Sequence, residues 1–292
     1  MLVLGSATSA LSQAINLDNY PSWQRSPTDE TIGGPLWLQT TTVQAKRVGA
    51  TFAPPGLLAT NIEPLQQSYT VLSQNSQHSF KTRSIVVATG SCPRRLNLPN
   101  EDGLWGKALH SCAICDGSQY ADKTVLVVGG GDAALDAALV LSRRSKLVYI
   151  VHRREEWRAS DASNIQSLET TDNIRIMRPY IVKKWVIGEH NGGSGRVLKS
   201  VIVGRVEAPS STNAELSVDG VFTMIGSIPN SQFLRQSDAM LKLSTDGHVA
   251  VDDKLMSTSH PGIFAAGEVA DERYRQAIGT CTCMYACIGG IF

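Results

Sequence analysis

The chain has 292 residues, 42% apolar and 6% aromatic, with 27 Lys and Arg against 26 Asp and Glu. That length holds two medium domains and more than one packed core, and a formal charge of +1 excludes a global basic field for nucleic acid as well as a disordered acidic tail. No apolar run reaches the roughly 18 residues of a membrane span. The six cysteines are too few and too clustered for a secreted disulfide scaffold, so a reducing, cytoplasmic compartment is expected.

In chain order, "MLVLG" (1–5) opens as a buried strand. The following "SATSALSQA" has small residues but no basic n-region, so it does not read as a signal peptide. A second strand is expected in "SIVVATG" (84–90), a third in "TVLVVGGG" (124–131) and a fourth in "LVYIVHRR" (147–154). All are short, rich in Val, Ile or Leu, and end in turn or polar residues, as central parallel strands do. Between the last two, "DAALDAALVLSRR" reads as a helix closing on basic residues. From about 179 to 225 the pattern becomes strand-like. "RVLKSVIVGRV" and "SVDGVFTMIG" read as pieces of a meander, with "HNGGSG" (190–195) as a hairpin tip. "HPGIFAAGEV" (260–269) adds a short apolar run between glycines. Alternating strands and helices predict an α/β fold with mostly parallel sheets.

The first chemical signal is Gly129, Gly131 and Ala134 in G-x-G-x-x-A form, between a strand and a helix. Small residues there let the backbone turn tightly and approach a pyrophosphate seated on the helix N-terminus. NAD-binding units usually place an acid about 20 residues further on, to hold the ribose hydroxyls. Here that place reads "VHRREEWR", with His152, Arg153, Arg154 and Arg158 and no acid at the strand end. Planar guanidinium forks suit a 2′-phosphate, so NADPH is expected rather than NADH.

The second signal is "HSCAICDG" (110–117), with Cys112 and Cys115 in C-x-x-C spacing. A zinc site lacks its second pair of ligands, since Cys281, Cys283 and Cys287 lie more than 160 positions away. Two inert buried thiols are the plainer alternative. A redox pair gains from context: it ends nine residues before the strand of the dinucleotide loop, and Asp116 follows at once as a proton relay. No metal site is expected from these residues, nor from C-x-C-x-x-x-C near the C-terminus, which lacks a fourth ligand nearby.

"CAICDG", "VLVVGGGDAALDAAL" and "VHRREEWRAS" together resemble the low-molecular-weight NADPH thioredoxin reductases. "IGSIPNSQFL" (225–234), "GIFAAGEVADERYRQAI" (262–278), "VVATGSCPRRLNLPNE" (86–101) and "NLDNYPSW" (16–23) extend the resemblance over most of the chain. It implies two Rossmann-like three-layer nucleotide-binding domains. A discontinuous FAD domain (1–108 and 241–292) would enclose an inserted NADPH domain (109–240). Electrons would pass from NADPH through FAD to the Cys112–Cys115 disulfide and on to a separate thioredoxin, in a homodimer. Cys115 would face the flavin, Cys112 would attack thioredoxin, and Asp116 would be the acid. Gly129, Gly131, Asp132, Ala133, His152, Arg153, Arg154 and Arg158 would hold NADPH. Asn19, Thr89, Gly90, Gly267, Glu268, Arg275, Gln276 and Ala277 would line FAD.

Some residues depart from the family pattern. Ala7 and Ala10 stand where glycines are expected, and the ENYP-like segment arrives about ten residues later. A βαβ unit needs about 30 residues, so the first one reads as largely missing, with the FAD adenosine site reduced. Glu268 replaces an Asp, and Ser227 stands where many relatives have His. An NADP(H)-binding remnant and a dithiol oxidase are the competing readings. The Arg cluster argues against the oxidase.

Overall fold

The computed structural model describes residues 1–4, 34–54, 57–66, 68–73, 78–190, 193–207, 209, 213–235, 241–252 and 254–271. The expected ENYP-like segment with Asn19, the Arg275–Ala277 segment and the three C-terminal cysteines lie outside the described residues.

The opening strand β1 (Leu2–Val3) is followed by helix α1 (Gly34–Arg47) and strand β2 (Thr51–Phe52). β1 pairs with β2 in parallel, Leu2 opposite Thr51. Thr51 N–H donates to the Met1 carbonyl at 2.8 Å and Ala53 N–H to that of Val3 at 2.9 Å. The first strand therefore has a neighbour, supplied by a segment too short to announce itself as a strand. β3 (Ala59–Leu65), β4 (Ser68–Ser73) and β5 (Ser79–Thr82) form an antiparallel sheet. β4 alternates half-buried and buried positions, the signature of a one-sided sheet.

β6 (Ile85–Val87) leads to β7 (Ser91–Pro93), short helix α2 (Glu101–Leu104) and β8 (Leu109–His110). Helix α3 (Ala113–Asp116) carries the cysteine pair, and a 3-10 turn, Gly117–Tyr120, follows. β9 (Thr124–Val128), α4 (Asp132–Ser142) and β10 (Leu147–Val151) follow as the hydrophobic pattern predicts, and α5 (Ala162–Thr170) and β11 (Ile174–Met177) continue the alternation. Next come β12 (Tyr180–His190), β13 (Gly193–Arg205), β14 (Ala214–Ser217), β15 (Gly220–Thr223), β16 (Ser227–Pro229), α6 (Gln232–Arg235) and β17 (Ile263–Ala265).

Five strands make one parallel sheet in the order β11-β10-β9-β15-β8. The antiparallel meander is β12-β13-β14. "SVDGVFTMIG" does not belong to it as a whole, contrary to expectation. Ser217 is its last meander residue, and Gly220–Thr223 enters the parallel sheet beside β9. All four residues of β15 are buried, so the run has no alternation to mark its sheet. Asp219 fastens the switch: its N–H donates to the Thr124 carbonyl at 2.8 Å, and its carboxylate accepts Thr124 N–H at 2.9 Å.

Apolar packing builds several cores. On one face of the parallel sheet Val125, Val127, Leu135, Leu141, Ile150 and Phe222 pack together, each at most 2% exposed. Each such Leu, Ile or Phe contributes about 1.5–3 kcal/mol by burial. Leu104, Leu109, Leu126 and Val221 pack with the meander's Trp185 and Val201 on the other face. A third cluster joins Ile62, Tyr69, Val87, Leu234 and Ile263. Leu96 and Leu98 thus pack with the sheet of β9, whereas Leu234 packs with β6 and β17. Between these groups β7 and β16 run antiparallel, Cys92 opposite Ile228.

Candidate functional site

The dinucleotide loop is built by close backbone approach. Gly129 has φ +150°, and a Cβ there would stand 2.3 Å from the Met224 carbonyl oxygen and 2.9 Å from the Ala134 Cβ. A Cβ on Gly130 would meet the His152 ring at 2.3 Å. Gly131, the N-cap of α4, faces open space: nothing lies within 4 Å of its Cβ position. The loop is therefore packed against the protein at its first two glycines and open at its third. A phosphate fits at that opening, where the unpaired N–H groups and positive end of α4 begin.

The basic segment is brought to the same place. β9 and β10 are paired in register, Val128 opposite Val151, so both strands end side by side. Arg158 N–H donates to the Gly130 carbonyl at 2.7 Å and Ala159 N–H to the same oxygen at 3.1 Å. Arg153, Arg154 and Arg158 are exposed beside the loop. Ala133 is exposed on the first turn of α4. Asp132 accepts Ser160 N–H at 2.8 Å and Asp161 N–H at 3.3 Å, so its carboxylate ties the arginine-bearing turn to the start of α4.

His152 is 5% exposed and stacks on Trp157, with ring centroids 5.6 Å apart, while Arg178 lies over the indole at 4.4 Å. Its Nε2–H donates to the Glu156 carbonyl at 3.0 Å. Burial lowers its pKa below the ordinary 6.5, against that hydrogen bond and with help from Arg154, Arg178 and Arg153. A histidine held neutral in the folded state binds fewer protons than in the unfolded chain. Its contribution to stability is present above about pH 6.5 and declines as pH falls from there through the lowered folded value. The melting temperature is expected to drop over that window, and less steeply in His152→Gln, as scanning calorimetry against pH would show.

Cys112 and Cys115 form a disulfide with Cα atoms 5.3 Å apart. Cys112 is the N-cap of α3, and its Sγ accepts the Cys115 N–H at 3.1 Å. Both cysteines are half-buried, and Ile114 between them is 52% exposed. A partner can therefore reach the pair from one side, while Ala113 and Asp116 anchor the turn inward. Asp116, 6% exposed, lies 3.2 Å from His110 Nδ1 through Oδ2. The short spacing of His110, Cys112 and Asp116 was visible in the sequence, but the contact between His110 and Asp116 was not.

The remaining described residues gather at another crevice. β6 and β17 are parallel neighbours, Val87 opposite Ala265, and Ala266 N–H continues the ladder to the Val87 carbonyl at 2.9 Å. Both chains then turn on glycines of positive φ, Gly90 at 65° and Gly267 at 75°. Nothing lies within 4 Å of a Cβ placed on Gly90. Small residues at the carboxyl ends of adjacent parallel strands leave room for a nucleotide cofactor. Thr89 Oγ1 donates to the Asn230 carbonyl at 2.7 Å, and Asn230 returns a bond to the Thr89 carbonyl at 2.9 Å. Glu268 accepts Ser91 Oγ–H at 2.5 Å, a contact over 177 positions that joins this turn to β7. Among the described residues no cluster of His, Cys, Asp or Glu could hold a metal ion, and no helix is long and apolar enough to cross a membrane.

The sequence pattern of the pyridine nucleotide-disulphide oxidoreductases matches residues 55–281. The chain is 33% identical over 277 residues to the thioredoxin reductase of Streptomyces coelicolor, covering 93% of this chain and 78% of that one. It is 32% identical over 270 residues to NADPH-dependent thioredoxin reductase 3 of Arabidopsis thaliana, covering 92% of this chain and 47% of that one. The structure of thioredoxin reductase from Giardia duodenalis superposes with a TM-score of 0.77 at 25% identity, covering 99% of this chain and 86% of that one. With a C-x-x-C disulfide and a glycine loop set around one parallel sheet, the chain belongs to the pyridine nucleotide-disulphide oxidoreductase family, among the thioredoxin reductases.

Proposed function

We propose that this protein is an NADPH-dependent thioredoxin-disulfide reductase. The observation that carries the reading is the Cys112–Cys115 disulfide, half-buried on a turn between β8 and β9, the strand that ends in the dinucleotide loop. Gly129 and Gly131 admit the pyrophosphate, Ala133 lies on the first turn above it, and Asp132 holds the arginine turn in place. Arg153, Arg154 and Arg158 take the 2′-phosphate, and His152 supports them from below. Thr89, Gly90, Gly267 and Glu268 line the described part of the FAD site, with Asn19, Arg275, Gln276 and Ala277 assigned to the rest. When bound, FAD relays the electron pair of NADPH to the disulfide.

The chain's own residues carry the final exchange. The Cys112 thiolate attacks one sulfur of the thioredoxin disulfide; that S–S bond breaks as the mixed disulfide forms, and the released thioredoxin sulfur takes a proton. Cys115 then attacks Cys112, restoring the disulfide and releasing reduced thioredoxin. Asp116 supplies and accepts the proton at the pair. The NADPH unit is inserted between the two parts of the FAD unit and hinged at the β7–β16 ladder, earlier than the expected boundaries at 108/109 and 240/241, a placement supported by the packing of Leu104 with the sheet of β9 and of Leu234 with β6 and β17. A homodimer in a cytoplasmic setting completes the proposal.

The test is NADPH consumption by the FAD-supplemented chain with thioredoxin as acceptor. Turnover that requires both thioredoxin and NADPH supports the reading, and thioredoxin-independent or absent turnover overturns it. In the same assay Arg153→Ala/Arg154→Ala is expected to raise the KM for NADPH by about tenfold or more, since each charge-assisted hydrogen bond contributes about 1.5–3 kcal/mol. The KM for NADH should change little, which separates loss of phosphate recognition from general damage.

A further inference from the structure

We propose that His110 is a positioning residue for the acid of the redox centre: its Nδ1–H pins the Asp116 carboxylate, Tyr120 fixes its tautomer, and the pair orients that carboxylate beside Cys112 and Cys115. The inference rests on reading Cys112–Cys115 as the redox pair.

The geometry is a buried relay behind the disulfide. His110 ends β8 and is 3% exposed; Tyr120, also 3% exposed, ends the 3-10 turn. His110 Nδ1 lies 3.2 Å from Asp116 Oδ2, and its Nε2 lies 2.8 Å from the Tyr120 hydroxyl. Burial, reinforced by Asp116 and then Asp219, pushes the Tyr120 phenol far above its ordinary 10, so it keeps its proton and donates. Nε2 is then the acceptor, the imidazole proton sits on Nδ1, and Nδ1–H donates to Asp116. The ring cannot easily turn away. It stacks on Phe222 at 5.3 Å, meets Tyr120 edge-on at 5.5 Å, and the His110 carbonyl accepts Thr223 Oγ1–H at 3.1 Å.

The other charged groups around the relay are few among the described residues. Lys123 Nζ lies 5.5 Å from the Tyr120 ring, and Asp219 acts at the same end. On α4, which packs against α3, Asp132 and Asp136 are exposed and bonded to Ser160 and Asn164. His110 is thus a titratable partner placed directly on the Asp116 carboxylate. A donor in fixed geometry orients the carboxylate, and Asp116 directly follows Cys115 in the chain. Cys112 and Cys115 therefore react beside a carboxylate that His110 helps to hold in place.

The experiment needs no flavin. The full chain is reduced with dithiothreitol, and the rate of iodoacetamide alkylation at Cys112 and Cys115 is followed against pH by peptide mass spectrometry. His110→Leu is expected to shift the profile, changing the rate at pH about 6.5 by roughly threefold or more. His110→Asn, whose amide N–H can replace Nδ1–H, should stay near the parent profile. His110→Gln, whose amide lies at the Nε2 end, should shift as Leu does, and this pair serves if the Leu variant does not fold. In an Asp116→Asn background the His110 substitutions should have no further effect. Folded variants with unshifted profiles, equal shifts in Asn and Gln, or shifts that persist with Asp116→Asn would overturn the positioning role. A pair that dithiothreitol does not reduce would instead overturn the redox reading on which it rests.

Discussion

Replacing either cysteine of the pair is expected to reduce thioredoxin turnover by at least about a thousandfold, because the nucleophile or its resolving partner is gone. NADPH binding should persist in both variants. The cysteines sit on α3, whereas the glycine loop and arginines lie at the ends of β9 and β10. The two variants should also differ from each other. With Cys115→Ser, Cys112 can still attack thioredoxin but nothing resolves the product, so a mixed disulfide should accumulate and appear on non-reducing gels. With Cys112→Ser it should not. A mixed disulfide formed by the Cys112→Ser variant would exchange the roles assigned to the two thiols.

The second large effect concerns folding as well as binding. Gly129→Ala is expected to destabilise the protein by about 2–4 kcal/mol, since strain at positive φ adds to overpacking. The new Cβ would meet a backbone carbonyl at 2.3 Å, and at φ +150° an L side chain is disfavoured in any case. Met224 directly follows β15, the neighbour of β9, so the clash cannot be relieved without moving a central strand. Denaturant unfolding measures the loss. Gly131→Ala is the contrasting control: its Cβ enters open space, so stability should change little while NADPH affinity falls. Equal stability losses in the two variants would contradict the division between a packed and an open end of the loop.

Much of this site could be read from local sequence because its physics is local. A buried strand, the spaced glycines Gly129 and Gly131 and an Ala-rich helix lie within a short stretch, and β9, the loop and α4 follow in that order. The cysteine spacing and the arginines after β10 are equally local. Other features depended on distant partners. β15 looked like meander because all four of its residues are buried and its parallel neighbours lie far away in sequence. β2 is two residues long and is defined by pairing with β1. The bond between Glu268 and Ser91, and the contact of Gly130 with the His152 ring, leave no periodic trace. His110 and Asp116 are only six positions apart, yet their meeting requires a strand end, a half-buried disulfide and a helical turn in sequence.

The central claim is that NADPH electrons reach Cys112–Cys115. The most direct measurement is the thiol state of that pair after anaerobic incubation of the full chain with FAD and NADPH, trapped by alkylation and read by peptide mass spectrometry. The expected result is alkylation of both cysteines when FAD and NADPH are present together, and an intact disulfide when either is omitted. A disulfide that stays oxidised with both present, in a chain that still binds NADPH, would contradict the account.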